Sequence, residues 1–309
     1  MPIDHFNAQK YGRLELRAKQ AVEGFITGMH KSPYHGFSVE FAEHRAYNNG
    51  ESTRHIDWKL YARTDKMFVK RFEEETNLRC QICLDRSGSM FYPKATDEIH
   101  SNKIGFSIQA SASLVYLMRS QRDAVGVTLF GNGIEWSTPA KSNSAHHNYL
   151  FQELEKEFDK KEGASSSNIV SSLHKIAEMV HKRSLIVIFS DFIDSVFIND
   201  ESQTELFEAL QHLRYNKHEV VLFHVYDKKT ELNLDLENRP YTFVDLETGE
   251  QIKVNPNEVR EQYESLRKKK VGDVKLKCRQ FGIDWVETDI SEPVDKVLER
   301  FLAKRARMR

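Results

Sequence analysis

The sequence predicts an α/β fold: a mostly parallel sheet with helices on both faces, preceded by a small β-rich elaboration. Three observations predict it. From Leu78 onward, near-continuous Val/Ile/Leu runs alternate with stretches of helical length, as in strands buried on both faces. Polar Asp/Ser/Gly loops follow the ends of those runs, and parallel sheets carry their ligand sites at that edge. Residues 30–76 lack this rhythm and show short alternating apolar runs instead.

In chain order, residues 8–29 read as one amphipathic helix, because Leu14, Ala18, Ala21, Val22, Phe25, Ile26 and Met29 fall near three- and four-residue spacing. The β-rich segment follows, with Phe37, Val39 and Phe41, then Met67 and Val69, alternating around the turn signal Asn48-Asn49-Gly50. Strands are expected over 79–84, 124–130, 185–189, 220–225 and 283–287. Helices over 103–121, 169–181, 204–215, 256–280 and 293–305 separate them. One hairpin, 241–244 with 251–254 joined through Glu247-Thr248-Gly249, interrupts the alternation. The expected domains are 1–76, a helix and β-rich segment, and 77–309, the sheet domain with its hairpin insertion near 241–254.

Composition narrows the function. Lys and Arg nearly balance Asp and Glu over 309 residues, leaving a formal net charge of -1. No global grip on nucleic acid or anionic membrane is implied. Three cysteines, Cys80, Cys83 and Cys278, form no disulfide framework and favour a reducing compartment. The polar start lacks the apolar run of a signal peptide, and no window approaches the roughly 20 apolar residues of a membrane span. The expected location is the cytoplasm.

The candidate chemistry lies past the first long strand, in Asp85-Arg86-Ser87-Gly88-Ser89. A carboxylate and two hydroxyls at alternate positions suit a hard cation such as Mg²⁺, which takes six oxygen ligands and keeps several waters. Gly88 lets the loop turn those oxygens toward one point. Ser167 before the 169–181 helix and Asp191 after the 185–189 strand bring further oxygens to the same edge. Asp, Ser and Gly are also ordinary turn and cap residues, which is the competing account. The pattern resembles the metal-ion-dependent adhesion site (MIDAS) of von Willebrand factor A domains, a Rossmann-like fold. That resemblance implies Asp85, Ser87, Ser89, Ser167 and Asp191 as metal ligands, with Ser167 where the family has Thr. Among Ser165, Ser166 and Ser167 the register stays open. In such sites the metal keeps a position that a partner's carboxylate can fill.

The stretch before the sheet carries a second resemblance. It reads Gly36-Phe37-Ser38-Val39-Glu40-Phe41, Arg45-Ala46-Tyr47-Asn48-Asn49-Gly50, Arg54-His55-Ile56-Asp57-Trp58-Lys59 and Lys70-Arg71-Phe72-Glu73. With Asp245-Leu246-Glu247-Thr248-Gly249 in the hairpin, it closely resembles the bacterial domain-of-unknown-function family 58. Members of that family sit beside MoxR-type AAA+ ATPases. Asn49 and Glu51 depart from the family's usual Pro and Asp. The resemblance implies a non-enzymatic, Mg²⁺-dependent adaptor that binds such an ATPase, or a client supplying a carboxylate, in maturation or remodelling of protein complexes. Arg45, Arg54, Arg63, Asp57, Glu40 and Glu75 read as a charge network fastening this segment down, and Trp58 and Phe72 as core. The functional counterpart is a docking face built on Arg54 and Trp58, since Arg and Trp dominate interface hot spots.

Other motifs offer less. Cys80 and Cys83 on one strand point to opposite faces and lack a second pair for zinc. No nucleotide-binding glycine loop is present. His146-His147 reads as part of a solvated loop, and the basic tail 304–309 complements a helix end. Two rival functions fit the same sequence: a Mg²⁺-dependent phosphohydrolase using Asp85, and an RNA-binding von Willebrand A module. Against the first, Ser87 stands where a second acid is expected, and no lysine is clearly placed to neutralise a phosphate.

Overall fold

The computed structural model describes residues 13–28, 41–47, 56–72, 78–94, 102–160, 163, 168–193, 200–244 and 249–307. Contacts divide the chain into two compact units, residues 35–78 and the remainder. The leading helix α1, Arg13–Gly28, belongs to the larger unit. Its Leu14, Ala18 and Val22, spaced by four, are all buried on one face. The expected boundary at 76/77 grouped this helix with the β-rich segment, and the structure separates them.

In the small unit, β1 (Phe41–Ala46) and β2 (Phe68–Phe72) pair antiparallel, with a register shift between Phe41 and Glu43. Between them runs α2, Trp58–Thr64, a helix the sequence reading missed. Asp57 starts it: its Oδ1 accepts from the backbone N–H groups of Lys59 and Leu60, both at 3.1 Å. Asp57 thus caps a helix, a role the sequence reading did not give it. Arg63 is exposed and donates to the Lys59 carbonyl. Trp58, expected in the core, is 58% exposed. Glu40, Arg54 and Glu75 lie outside the described residues, as do the side chains of Arg45 and Phe72.

The larger unit continues with β3 (Arg79–Asp85), α3 (Lys103–Gln121), β4 (Ala124–Gly131) and β5 (Gly133–Ser137). Next come α4 (Ser144–Phe158), α5 (Ile169–Met179), β6 (Leu185–Ser190), α6 (Asp200–Tyr215) and β7 (Glu219–Tyr226). A single π turn, Lys228–Leu232, leads to the hairpin of β8 (Tyr241–Val244) and β9 (Gln251–Val254). The chain closes with α7 (Pro256–Gln280), β10 (Asp284–Asp289) and α8 (Val294–Arg307). Six strands form one sheet in the order β10-β7-β6-β3-β4-β5, parallel throughout except for β5. The sequence reading missed β5 and α4. Accordingly His146 and His147 lie on a helix, and His147 is buried rather than solvated.

The helices cover both faces. Helix α3 is buried nearly all round, which its Ile, Ala, Leu and Val content permits, and α1, α4 and α8 pack around it. On the other face, Leu173 and Ile176 of α5, Leu206 and Leu210 of α6 and Val274 of α7 close over Ile186, Ile188 and Leu222. Fully burying each such aliphatic side chain stabilises by about 1.5–3 kcal/mol. Phe189 of β6 stacks on Phe223 of β7 with ring centroids 4.6 Å apart, a geometry worth about 0.5–1.5 kcal/mol beyond burial.

The strand order positions the site. From β3 the chain crosses to β4 on one side, whereas β6, on the other side of β3, leads away to β7. The connections therefore diverge between β3 and β6. At such a switch point the loops leave in opposite directions and open a crevice at the carboxyl ends of the strands. Asp85 ends β3, and Ser190-Asp191 ends β6.

Candidate metal centre

Asp85 is the last residue of β3, and a short 3-10 turn, Gly88–Phe91, follows it. Its carboxylate is bonded on both oxygens. Oδ1 accepts the Ser87 backbone N–H at 2.9 Å, folding the loop back over the strand end. Oδ2 accepts the Ser190 hydroxyl at 2.6 Å, tying β3 to β6 across the crevice. Ser87 Oγ lies 3.1 Å from Ser89 Oγ, so the two hydroxyls converge. Ser190 Oγ also accepts the N–H of Phe192, which sits at φ 52° as the chain turns out of β6.

Asp191 is buried, and its Oδ2 accepts from Lys103 Nζ at 2.7 Å. The same ammonium donates to Glu231 Oε1 at 2.6 Å, and Glu231 Oε2 accepts the Asp227 N–H at 2.7 Å. Lys103 is fully buried at the first turn of α3. Burial alone would lower its pKa, but Asp191 and Glu231 outweigh that and hold it above the ordinary lysine value. Glu231 is itself pushed up by burial, against the pull of Lys103. Beneath the edge, His224 of β7 pairs in register with Ser190 and is held neutral by burial.

Asp85 shows what this edge lacks. Burial, and then the nearby Asp191 carboxylate, push its carboxyl up to about 7. Among the described residues, the groups bonded to it are neutral donors, Ser87 and Ser190. Asp85, Asp191 and Glu231 supply three negative charges when ionised, and Lys103 returns one, leaving -2. A divalent cation matches that deficit, and carboxylate plus hydroxyl oxygens are the donor set a hard cation takes. Among the described residues, no three His, Cys, Asp or Glu side chains converge as a metal cage. A site here draws on serine hydroxyls as well as carboxylates.

Of the residues the sequence singled out, Asp85, Ser87, Ser89 and Asp191 stand together on this edge. Ser167 lies outside the described residues with Ser165 and Ser166. Its neighbour Asn168 donates its N–H to the Gly131 carbonyl at 3.1 Å, at the end of β4, and caps α5 with its side chain. Arg54 is outside the described residues, and Trp58 belongs to the small unit. The sequence reading found no lysine at this edge, whereas the structure puts Lys103 there. A signal was available: a cation in the first turn opposes the helix dipole, and in a helix so apolar it requires carboxylate partners.

A protein-family model described as "Protein of unknown function DUF58" matches residues 43–272. Uncharacterised proteins of Mycobacterium tuberculosis and Mycobacterium bovis are each 23% identical over 183 residues, 59% of this chain. The match spans 56% of the length of those relatives. Among solved structures, the conserved hypothetical protein BatB from Bacteroides thetaiotaomicron superposes with a TM-score of 0.41 at 16% identity. That superposition covers 74% of this chain and 99% of the other. The pilus adhesin SpaC from Lactobacillus rhamnosus GG gives a TM-score of 0.44 at 9% identity, over 76% and 31% of the two chains.

Proposed function

The chain belongs to the DUF58 family, and we propose that it is a non-enzymatic, Mg²⁺-dependent protein-binding adaptor on a von Willebrand factor A-like fold. Its proposed partner is a MoxR-type AAA+ ATPase, or a client of that ATPase, in maturation or remodelling of protein complexes. The observation that carries the metal half is the charge deficit at the switch point, where a buried Asp85, with no cationic partner among the described residues, faces two converging serine hydroxyls. Asp85, Ser87 and Ser89 would hold the ion, with Asp191 and a serine of 165–167 completing the set. A bound Mg²⁺ supplies an open coordination position for a carboxylate oxygen. The chain's own groups do the rest: Ser190 orients Asp85, and Lys103 fixes Asp191. The partner half rests on the sequence resemblance. For location we propose the cytoplasm, in keeping with three free, buried cysteines. No helix among the described residues is long and apolar enough to cross a membrane.

Calorimetric titration of Mg²⁺ into the wild-type chain and Asp85→Ala tests the metal reading. Binding is expected in the first and not in the second, with both folded by circular dichroism. Equal binding in the two would remove Asp85 from the site and the reading with it.

One observation favours a second reading. Lys103 is a buried cation beside Asp191, the kind of group that neutralises a transferred phosphate. Asp191 and Glu231 already balance its charge, and Ser87 still stands where a second acid is expected, so the adaptor is preferred. Turnover of p-nitrophenyl phosphate or ATP that disappears in Asp85→Ala would reverse that preference.

A further inference from the structure

Beside the acidic edge lies a cavity of ≈ 770 Å³. The β8–β9 hairpin forms one wall. Its register opposes Tyr241 to Val254 and Phe243 to Ile252, and directly opposed residues share a face. These four apolar side chains therefore form one side of a two-stranded sheet, and all four line the cavity. An isolated hairpin is marginally stable until such a face is covered, yet Ile252 is 62% exposed.

Leu234 and Tyr263 stand among the other lining residues, and both are anchored. Arg260 donates to the Leu234 carbonyl at 2.7 Å, and the Tyr263 hydroxyl donates to the Glu231 carbonyl at 2.8 Å. The polar part of the lining includes Ser89, Lys103 and Glu231. The cavity and the candidate metal centre thus share Ser89 and Lys103. Apolar walls with a few convergent polar groups, at this volume, suit a compact and largely apolar ligand group.

Charge decides what accompanies that group. Asp85, Asp191 and Glu231, with Lys103 the one cation paired to their carboxylates among the described residues, make this edge repel a carboxylate, and a divalent cation removes the repulsion. We infer that the cavity takes a large apolar side chain adjacent to the acidic residue that a partner presents to the metal. The recognised element is a short peptide segment pairing an acid with bulky apolar neighbours. This inference rests on the metal reading proposed above.

Fluorescence polarisation of three labelled peptides on the full chain, in Mg²⁺ and in EDTA, tests it. The peptides are Gly-Phe-Asp-Phe-Gly, Gly-Gly-Asp-Gly-Gly and Gly-Phe-Asn-Phe-Gly. In Mg²⁺ the first is expected to bind roughly 10- to 100-fold tighter than the second, from burial of a phenyl group. It should also bind tighter than the third, and EDTA should abolish that advantage. Ile252→Gln and Phe243→Gln should bring the first peptide down to the second while leaving Mg²⁺ titration unchanged. Equal, EDTA-sensitive binding of the first two peptides would overturn the cavity inference and leave the metal reading standing. Equal binding of the first and third in both buffers would overturn both. Absence of binding by any peptide up to millimolar concentration would overturn the inference. So would dimerisation of the chain that Ile252→Gln abolishes, which would give the face to a second copy.

Discussion

Lys103 Nζ lies 2.7 Å from Asp191 Oδ2, with the lysine side chain closed to solvent and the aspartate nearly so. The pair joins the first turn of α3 to the end of β6, and Glu231 leans on the same ammonium. Removing one member of a buried ion pair leaves an uncompensated charge and costs about 3–5 kcal/mol. Lys103→Met is therefore expected to lose that much in urea unfolding at neutral pH. Lys103→Met with Glu231→Gln should recover part of the loss, because one stranded carboxylate becomes neutral. A single variant as stable as wild type would show that the ammonium is dispensable to the fold.

Asp85 gives a prediction with a defined sign in pH. Its carboxyl is raised by burial, and then by Asp191, from 3.8 to about 7. An acid that holds its proton more tightly folded than unfolded costs stability as pH climbs through that window. In EDTA, Asp85→Asn should match wild type near pH 4 and be the more stable protein at pH 8, by on the order of 4 kcal/mol. In Mg²⁺ at pH 8 the order should reverse, since the wild type offers the ion the Asp85 carboxylate in addition to Asp191, and the variant only a neutral amide in its place. Thermal melts in the two buffers check both halves. An Asp85→Asn protein less stable than wild type at pH 8 in EDTA would mean that Asp85 is fully compensated without metal.

Gly126 in β4 has a packing role that the apolar pattern conceals. A Cβ built there would lie 2.5 Å from Gln81 Oε1, 2.5 Å from the Thr138 carbonyl oxygen and 2.9 Å from the Ala140 nitrogen. Two of those contacts are backbone, in the segment that follows β5, and Gln81 is pinned by hydrogen bonds to Thr128 Oγ1 and the Thr138 carbonyl. Nothing nearby can yield cheaply, so Gly126→Ala is expected to cost about 1–3 kcal/mol or more through overpacking. Denaturant midpoints of that variant against Gly272→Ala, where a Cβ meets open space, measure it. The second substitution should be neutral or slightly stabilising, because alanine favours the helix interior.

The strands buried on both faces were legible because their apolar runs are continuous, and β3, β4, β6 and β7 fall within about a residue or so of their expected bounds. Helices α3 and α7 coincide with expectation, helped by Asn102 and Asn255 as caps and Pro256 at the start of α7. What escaped has physical reasons. Strand β5 is an antiparallel edge of five residues behind Gly133 at φ 111°, too short to carry a period. Helix α4 opens on Ser144-Ala145-His146-His147, and its buried face of His147, Leu150, Phe151 and Leu154 is interleaved with polar residues. At the site, Asp85, Ser87 and Ser89 were legible because they are close in sequence. The Lys103–Glu231 pair was not, because 128 residues separate its members and only the sheet topology brings them together.

If a partner carboxylate completes the Mg²⁺ shell, the ligating groups act as one unit and their losses do not add. Ser87→Ala, Ser89→Ala and Asp191→Ala should then weaken the complex with the proposed MoxR-type ATPase partner to similar degrees. EDTA should weaken the wild-type complex about as much and add little to any of the three variants. Trp58 is the candidate for an independent contact, since it is 58% exposed in the small unit and exposed tryptophans are frequent interface anchors. Loss of affinity in Trp58→Ala that adds fully to the effect of EDTA would mark two separate contacts, whereas loss that does not add would put them in one coupled surface. Interferometry against the ATPase in Mg²⁺ and in EDTA reads all of these. Equal affinity in the two buffers would detach partner binding from the metal centre altogether.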